Sequence, residues 1–328
     1  MSNRFSLKSV NPDYSTFSEE VTVSDSNSII ALDIQTKFQF LSDDGSVYHE
    51  YQFPSDRDIQ NCGGYVDKLI KYRSQLAREA TANMFQTNPI SPELPVLKGR
   101  SILVDTLLTK MIDRFIVNNA STKAKLFDHG CTVAEHYEML DQMLHAYSNR
   151  SALDSISYYG LDLSPLALAG ARLLHPEAPP SDLNLILSEG SDISVPSNSM
   201  DFSMSIGVIN HVANPIHALD RLIDLTRLAA IFVLWITEEP QGFWAVNHSG
   251  FSNYFLSVKD LAYMAESYGH KGSFHFADFT PEKSSTQPNS YVGVAPERLE
   301  LMGSYTLVFC TDEYVVPGLS PINFGNLP

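Results

Sequence analysis

Residues 124–166 read AKLFDHGCTVAEHYEMLDQMLHAYSNRSALDSISYYGLDLSPL, and their texture decides the fold. Ala124 to Phe127 starts a short buried strand. Tyr137, Leu140, Met143, Leu144 and Tyr147 then recur at helical spacing and mark one helix face. Ser157 to Leu161 forms a second strand. Ser164-Pro165 opens a second helix, because serine accepts bonds from free amides and proline at the first helical position loses none.

The same alternation continues toward the C-terminus. Leu183 to Leu187 is a third strand, Phe202 to Ile206 a fourth, and the apolar run AAIFVLWI, residues 229–236, a fifth, buried on both faces. Asn214-Pro215 repeats the cap-plus-proline start, with Ile216, Leu219, Leu222 and Ile223 on one face. Ser257 and Asp260 have capping-box spacing for a helix that ends near Gly269. Strands around Phe274 to Phe279 and Tyr305 to Phe309 complete the count. The expected fold is α/β, a doubly wound, mostly parallel seven-stranded Rossmann-like sheet.

Upstream the texture differs. Residues 1 to about 28 are rich in Ser, Asn and Asp and read as an irregular arm. In SIIALDIQTKFQFLSDDGSVYHEYQF, β-branched and aromatic residues flank Asp43-Asp44-Gly45-Ser46, which predicts a β-hairpin. Residues 56–84 and 98–118 read as helices; in the second, Ile102, Leu103, Leu107, Met111, Ile112 and Phe115 share one face. The chain thus divides into an extension over residues 1–119 and a core with a C-terminal tail over 120–328. The extension is a lid over the cleft or a dimerisation arm that would make the chain a homodimer.

Composition narrows the partners. Of 328 residues, 22 are Lys or Arg against 38 Asp or Glu, a formal net charge of -16. With no long basic run, such a surface repels phosphates and anionic lipid, so neither nucleic acid nor membrane is an expected partner. Cys62, Cys131 and Cys310 show no C-x-x-C spacing and cannot all pair, which disfavours a disulfide framework or a zinc knot. No apolar run reaches membrane-span length, the first residues lack a signal-peptide pattern, and a cytoplasmic location is expected.

In a doubly wound sheet the ligand lies beyond the carboxyl ends of the strands. After the first strand, Asp128 and Gly130 precede small residues and a helix, a turn through which backbone amides can approach a polar ligand. It is equally an ordinary strand-to-helix turn. After the second strand stands Asp162, placed to accept from both hydroxyls of a ribose, or simply a surface acid at a helix entry. After the third, Asp192 could accept from an adenine amino group and Ile193 pack on its ring; as a loop acid Asp192 would do neither.

The stretches FDHGCTVAEHYEML, YYGLDLSPLAL, EGSDISVPSNSMDFSMSIGVINHV and NHSGFSNYFLSVKDLAYMAESYGH resemble successive motifs of the class I S-adenosylmethionine-dependent methyltransferases, most of all the small-molecule branch, over residues 120 to 312. The resemblance implies S-adenosylmethionine as cofactor, with Asp128, Gly130 and Cys131 along its methionine portion. It puts Asp162 at the ribose, Leu163 among the cofactor-binding residues, Asp192 and Ile193 at the adenine, and Gly207 and His211 in the cleft between cofactor and substrate. The implied reaction is methyl transfer to O, N or C of a small molecule. The alternative is a non-methylating relative that binds the cofactor as a partner protein or uses the sulfonium only as a charge.

His211 and His248 are the candidate bases for an O or N acceptor, since histidine titrates near neutrality. His211 could equally pack at the helix entry, and His248 could be a surface-loop histidine. Phe243, Trp244, Phe251 and Tyr254 suit a flat or apolar substrate, or cover the sheet edge. The segment SIGVINHV offers no acidic pair for a hard cation, so metal independence is expected.

Two departures stand out. Thr132 and Ala134 occupy places where the family carries glycine; threonine avoids positive φ, so a shifted loop path is expected. Asp128 and Asp162 also lie farther apart than the spacing of about 20 in dinucleotide folds. The extra length is expected as a loop in HAYSNRSALDS.

Overall fold

Successive residues of a strand point to opposite faces of its sheet, so a strand covered by helices on both sides needs apolar residues without interruption. Strand β8, Thr226–Thr237, shows this: Ala229, Ile231 and Val233 join one core, and Ala230, Phe232, Leu234 and Ile236 join the other. The computed structural model describes residues 6–9, 37–41, 47–52, 100–119, 122–163, 167–168, 171–172, 175–188, 190–191, 193–247, 252–281, 291–292, 294, 302–314, 316, 319 and 321–322.

Around β8 the sheet runs in the order β6-β5-β4-β7-β8-β13-β11. Its strands are β4 (Ala124–His129), β5 (Ile156–Asp162), β6 (Leu183–Leu187), β7 (Met200–Ile206), β8, β11 (Gly272–Pro281) and β13 (Met302–Thr311). All pairs from β6 to β8 are parallel, whereas β13 runs antiparallel to both β8 and β11. These are the seven expected strands in a mostly parallel, doubly wound order. The order reverses at β4, which has β5 on one side and β7 on the other.

Helices α1 (Arg100–Asn118) and α2 (Glu135–Ser148) cover one face through Leu107, Leu108, Ile112, Phe115, Tyr137 and Leu140. Helices α4 (Pro215–Leu225) and α5 (Val258–Tyr268) cover the other through Leu219, Leu222, Leu261 and Met264. Both start signals behave as expected. The Asn214 side chain accepts from His217 N–H with Pro215 at the start of α4, and Ser257 and Asp260 form a reciprocal capping box before α5, with Gly269 at its end.

Three features differ from the sequence reading. Helix α1 shares a core with Leu126, Phe202 and Ile231 of the sheet, so the boundary drawn at 119 falls inside one packed unit. The residues HAYSNRSALDS are not a plain loop: α2 runs to Ser148, and Ala152–Ser155 forms a further short helix, α3, capped by Ser151. The third is a set of extra strands in the aromatic-rich connection after β8. Strands β9 (Phe243–Asn247) and β10 (Ser252–Ser257) form an antiparallel pair, and β12 (Tyr291–Val292) adds to the outer side of β9. The β12–β9 pairing joins segments far apart in sequence, which local periodicity does not reveal.

Upstream, β1 (Ser6–Ser9), β2 (Lys37–Leu41) and β3 (Val47–Gln52) form a three-stranded antiparallel sheet; β2 and β3 flank the expected hairpin turn. The turn itself, the helix expected over 56–84, and the Ser164-Pro165 helix start lie outside the described residues.

Candidate cofactor and active site

The reversal of strand order at β4 opens a crevice above its carboxyl end, between the ends of β5 and β7. Asp162, partly exposed, closes β5. Gly207 follows β7, and a Cβ built there would meet nothing within 4 Å. An acceptor group and open space therefore flank the switch point.

The loop after β4 keeps the positive-φ path that its sequence disfavours. Gly130 has φ +82°, and a Cβ there would sit 2.2 Å from Val208 Cγ2, so only glycine fits. Thr132 and Ala134 also take positive φ, 48° and 56°, so the expected path shift does not occur and the loop carries strain instead. Local bonds offset it: Thr132 N–H donates to Asp162 Oδ2 at 2.8 Å, and Thr132 Oγ1 donates to Glu135 Oε2 at 2.7 Å. The amides expected to approach a ligand are engaged within the protein. Gly130 and Cys131 N–H both donate to Leu161 O, at 2.7 and 2.9 Å.

Two residues expected along the cofactor's methionine portion are buried instead. Asp128 lies beneath the loop and accepts a short hydrogen bond from the Tyr158 hydroxyl. Burial raises its pKa to about 6, against the pull of His136 and Tyr158. Cys131 fills the space over Gly160, and burial together with Asp128 and Asp162 pushes its thiol well up, which disfavours the thiolate. Nearby, His136 Nδ1 and Asp105 Oδ1 of α1 lie 2.6 Å apart, both residues buried.

Ile193 is buried in the core with Phe127, Leu161 and Leu219. Leu163 is partly exposed beside Asp162. His211 is partly exposed on the short 3-10 turn Ile209–His211, four residues after Gly207. Asp192, His248 and Phe251 lie outside the described residues.

The extra strands place the aromatic candidates. β7 pairs with β8 as far as Ile206 opposite Val233, and β10 takes the same edge of β8 from Leu256 opposite Ile236. The β9–β10 flap therefore begins where β7 stops, beside the crevice. Phe243, Phe255 and Ala245 pack with Trp235 on one face, with the Phe243 and Phe255 rings stacked 5.4 Å apart. Trp244 and Tyr254 are register partners on the other face, ring centroids 5.3 Å apart.

Asn210 completes the junction. It is fully buried in the gap between the two strands: its Oδ1 accepts from Trp235 N–H at 3.0 Å, and its Nδ2 donates to Trp235 O at 3.1 Å and to Tyr254 O. One side-chain amide thus replaces the missing rung of the ladder. Neither Asn210 nor His129, which bridges β4 to the loop after β6, was a sequence candidate. An amide or imidazole in a motif gives no sign of which backbone it will reach.

Residues 128–234 match the model of a family described as a methyltransferase domain. No curated protein matches the chain. Among solved structures, the [4+2]-cyclase SpnF is 13% identical, covering 67% of this chain and 82% of its own, with a TM-score of 0.41. The Burkholderia thailandensis 1,6-didemethyltoxoflavin-N1-methyltransferase, with bound 1,6-didemethyltoxoflavin and S-adenosylhomocysteine, is 15% identical over 65% of this chain and 83% of its own, TM-score 0.36. YcgJ of Bacillus subtilis is 8% identical over 62% and 97%, TM-score 0.42. Over residues 128–234 this chain is thus similar in sequence to a methyltransferase domain.

Proposed function

We propose that the chain transfers a methyl group from S-adenosylmethionine to O, N or C of a small molecule. One observation carries the reading: Asp162 at the end of β5 and open space over Gly207 at the end of β7 flank the switch point. The donor set fits an adenosyl cofactor. A carboxylate offers about four lone-pair sites, so Asp162 can hold Thr132 N–H and still accept from a ribose. The short turn after β7 leaves room where a reacting methyl group must meet its acceptor.

S-adenosylmethionine, when bound, supplies an activated methyl group on a sulfonium. The protein's work is then alignment, which can supply about 7–11 kcal/mol. An O or N acceptor also releases a proton, and His211, partly exposed on the turn after β7, is the proposed base. Trp244 and Tyr254 on the flap suit a flat or apolar acceptor.

Isothermal titration with S-adenosylmethionine, followed by detection of methyl release with candidate acceptors, tests the proposal. Binding accompanied by S-adenosylhomocysteine formation supports it. Binding with no transfer to any O, N or C acceptor moves the chain to the non-methylating reading, and absence of binding overturns both.

A further inference from the structure

His129 occupies the last position of β4, fully buried, between the strand ends that frame the crevice. Its Nε2 lies 2.9 Å from Gly190 O and its Nδ1 lies 2.9 Å from Ser205 Oγ. A carbonyl only accepts, so Nε2 carries the proton. Nδ1 then carries a lone pair that accepts a hydrogen bond from the Ser205 hydroxyl. Burial holds the ring's pKa down at about 4, which keeps this tautomer neutral in the physiological range.

Gly190 is matched to that ring. Its φ of +92° suits glycine, and a Cβ there would fall 2.8 Å from His129 Nε2. From Gly190 the bonding continues across the crevice floor. Gly190 N–H donates to Ser188 Oγ at 3.4 Å, and Ser188 N–H donates to Asp162 O at 3.0 Å. On the far side, Ser191 Oγ accepts Asn214 N–H at 3.0 Å. One imidazole thus links β7, β4, the loop after β6, and the backbone of the acid that ends β5.

We propose that His129 is a positioning residue for nucleoside recognition, holding Gly190 so that the loop after β6 and Asp162 keep the mutual placement an adenosine group requires. The inference rests on the cofactor reading above. It extends that reading to a residue that touches no ligand and acts through the Gly190 carbonyl.

The test titrates S-adenosylhomocysteine and free adenosine into wild type, His129→Ala, His129→Gln and Ser205→Ala, each well below its unfolding temperature. His129→Ala should weaken both ligands by the same factor, about tenfold, the scale of one lost hydrogen bond. Glutamine keeps a donor of similar reach and should recover most of the loss. Ser205→Ala leaves the ring in place, should cost about threefold, and keeps the test usable if the alanine variant does not fold. Amide hydrogen exchange without ligand should rise in residues 188–195 in His129→Ala and fall again with glutamine. Ligand affinities within twofold of wild type in every folded variant, with unchanged exchange in 188–195, overturn the role of His129 and leave the cofactor reading standing. A wild type that binds neither ligand overturns the cofactor reading and this inference with it.

Discussion

Asp162 Oδ2 accepts the backbone N–H of Thr132 at 2.8 Å, so the acid at the end of β5 and the strained loop after β4 form one unit. On the proposed function the carboxylate therefore has two tasks, to hold the loop and to meet the ribose. Asp162→Ala should weaken S-adenosylhomocysteine binding by about 1.5–3 kcal/mol, the worth of a hydrogen bond to a charged group. Asp162→Asn can still accept Thr132 N–H and should lose less. Calorimetric titration of both variants checks this; equal affinity in wild type and Asp162→Ala would remove the residue from the site.

Ala134 is fully buried at φ +56°, just before α2. Glycine would relieve the backbone strain but lose a packed methyl group and gain unfolded-state entropy, so Ala134→Gly should leave stability within about 1 kcal/mol of wild type. Ala134→Val adds β-branching at the same φ in a filled space and should cost about 1–3 kcal/mol. Urea denaturation of the pair measures the contrast.

Two buried groups give opposing pH dependence. Asp128 has its pKa raised from 3.8 to about 6, so between these values the folded state binds more protons than the unfolded and stability falls as pH rises. His129 is depressed from 6.5 to about 4, so over that window the unfolded state binds more protons and stability rises with pH. Each effect is of order 3 kcal/mol, and in wild type they largely cancel. Asp128→Asn keeps an acceptor for Tyr158 and exposes the histidine effect, giving stability that climbs from pH 4 to 6.5; His175, also lowered by burial, adds in the same direction. His129→Gln exposes the opposite slope. Denaturation curves at half-unit intervals would show parallel pH profiles for all three proteins if these groups do not titrate as described.

Asn210 joins the end of β7 to β8 and β10 through Trp235 and Tyr254. Asn210→Ala strands buried backbone groups of both partners and should destabilise the protein by about 1–3 kcal/mol. It should also loosen the flap selectively. Amide exchange in residues 243–257 should rise more than in β4, whereas a uniform rise across the sheet would deny Asn210 a local tether role.

The sequence by itself determined the seven strands, their near-continuous apolar character and the caps of α4 and α5. These follow from local periodicity and from side chains bonding their own neighbouring backbone. It also placed Asp162 at the end of β5, since strand ends are legible and ligands collect there. Only the tertiary structure decided the rest. It turned Asp128 inward to Tyr158 and put Ile193 in the core, because which face of a loop is covered depends on elements distant in sequence. It held Thr132 and Ala134 at positive φ against their intrinsic preference, because Asp162 and Glu135 anchor Thr132 through bonds that periodicity cannot reveal. It made Asn210 a substitute ladder rung and His129 a bridge under the crevice, since a polar side chain's partner is set by the strands that arrive beside it.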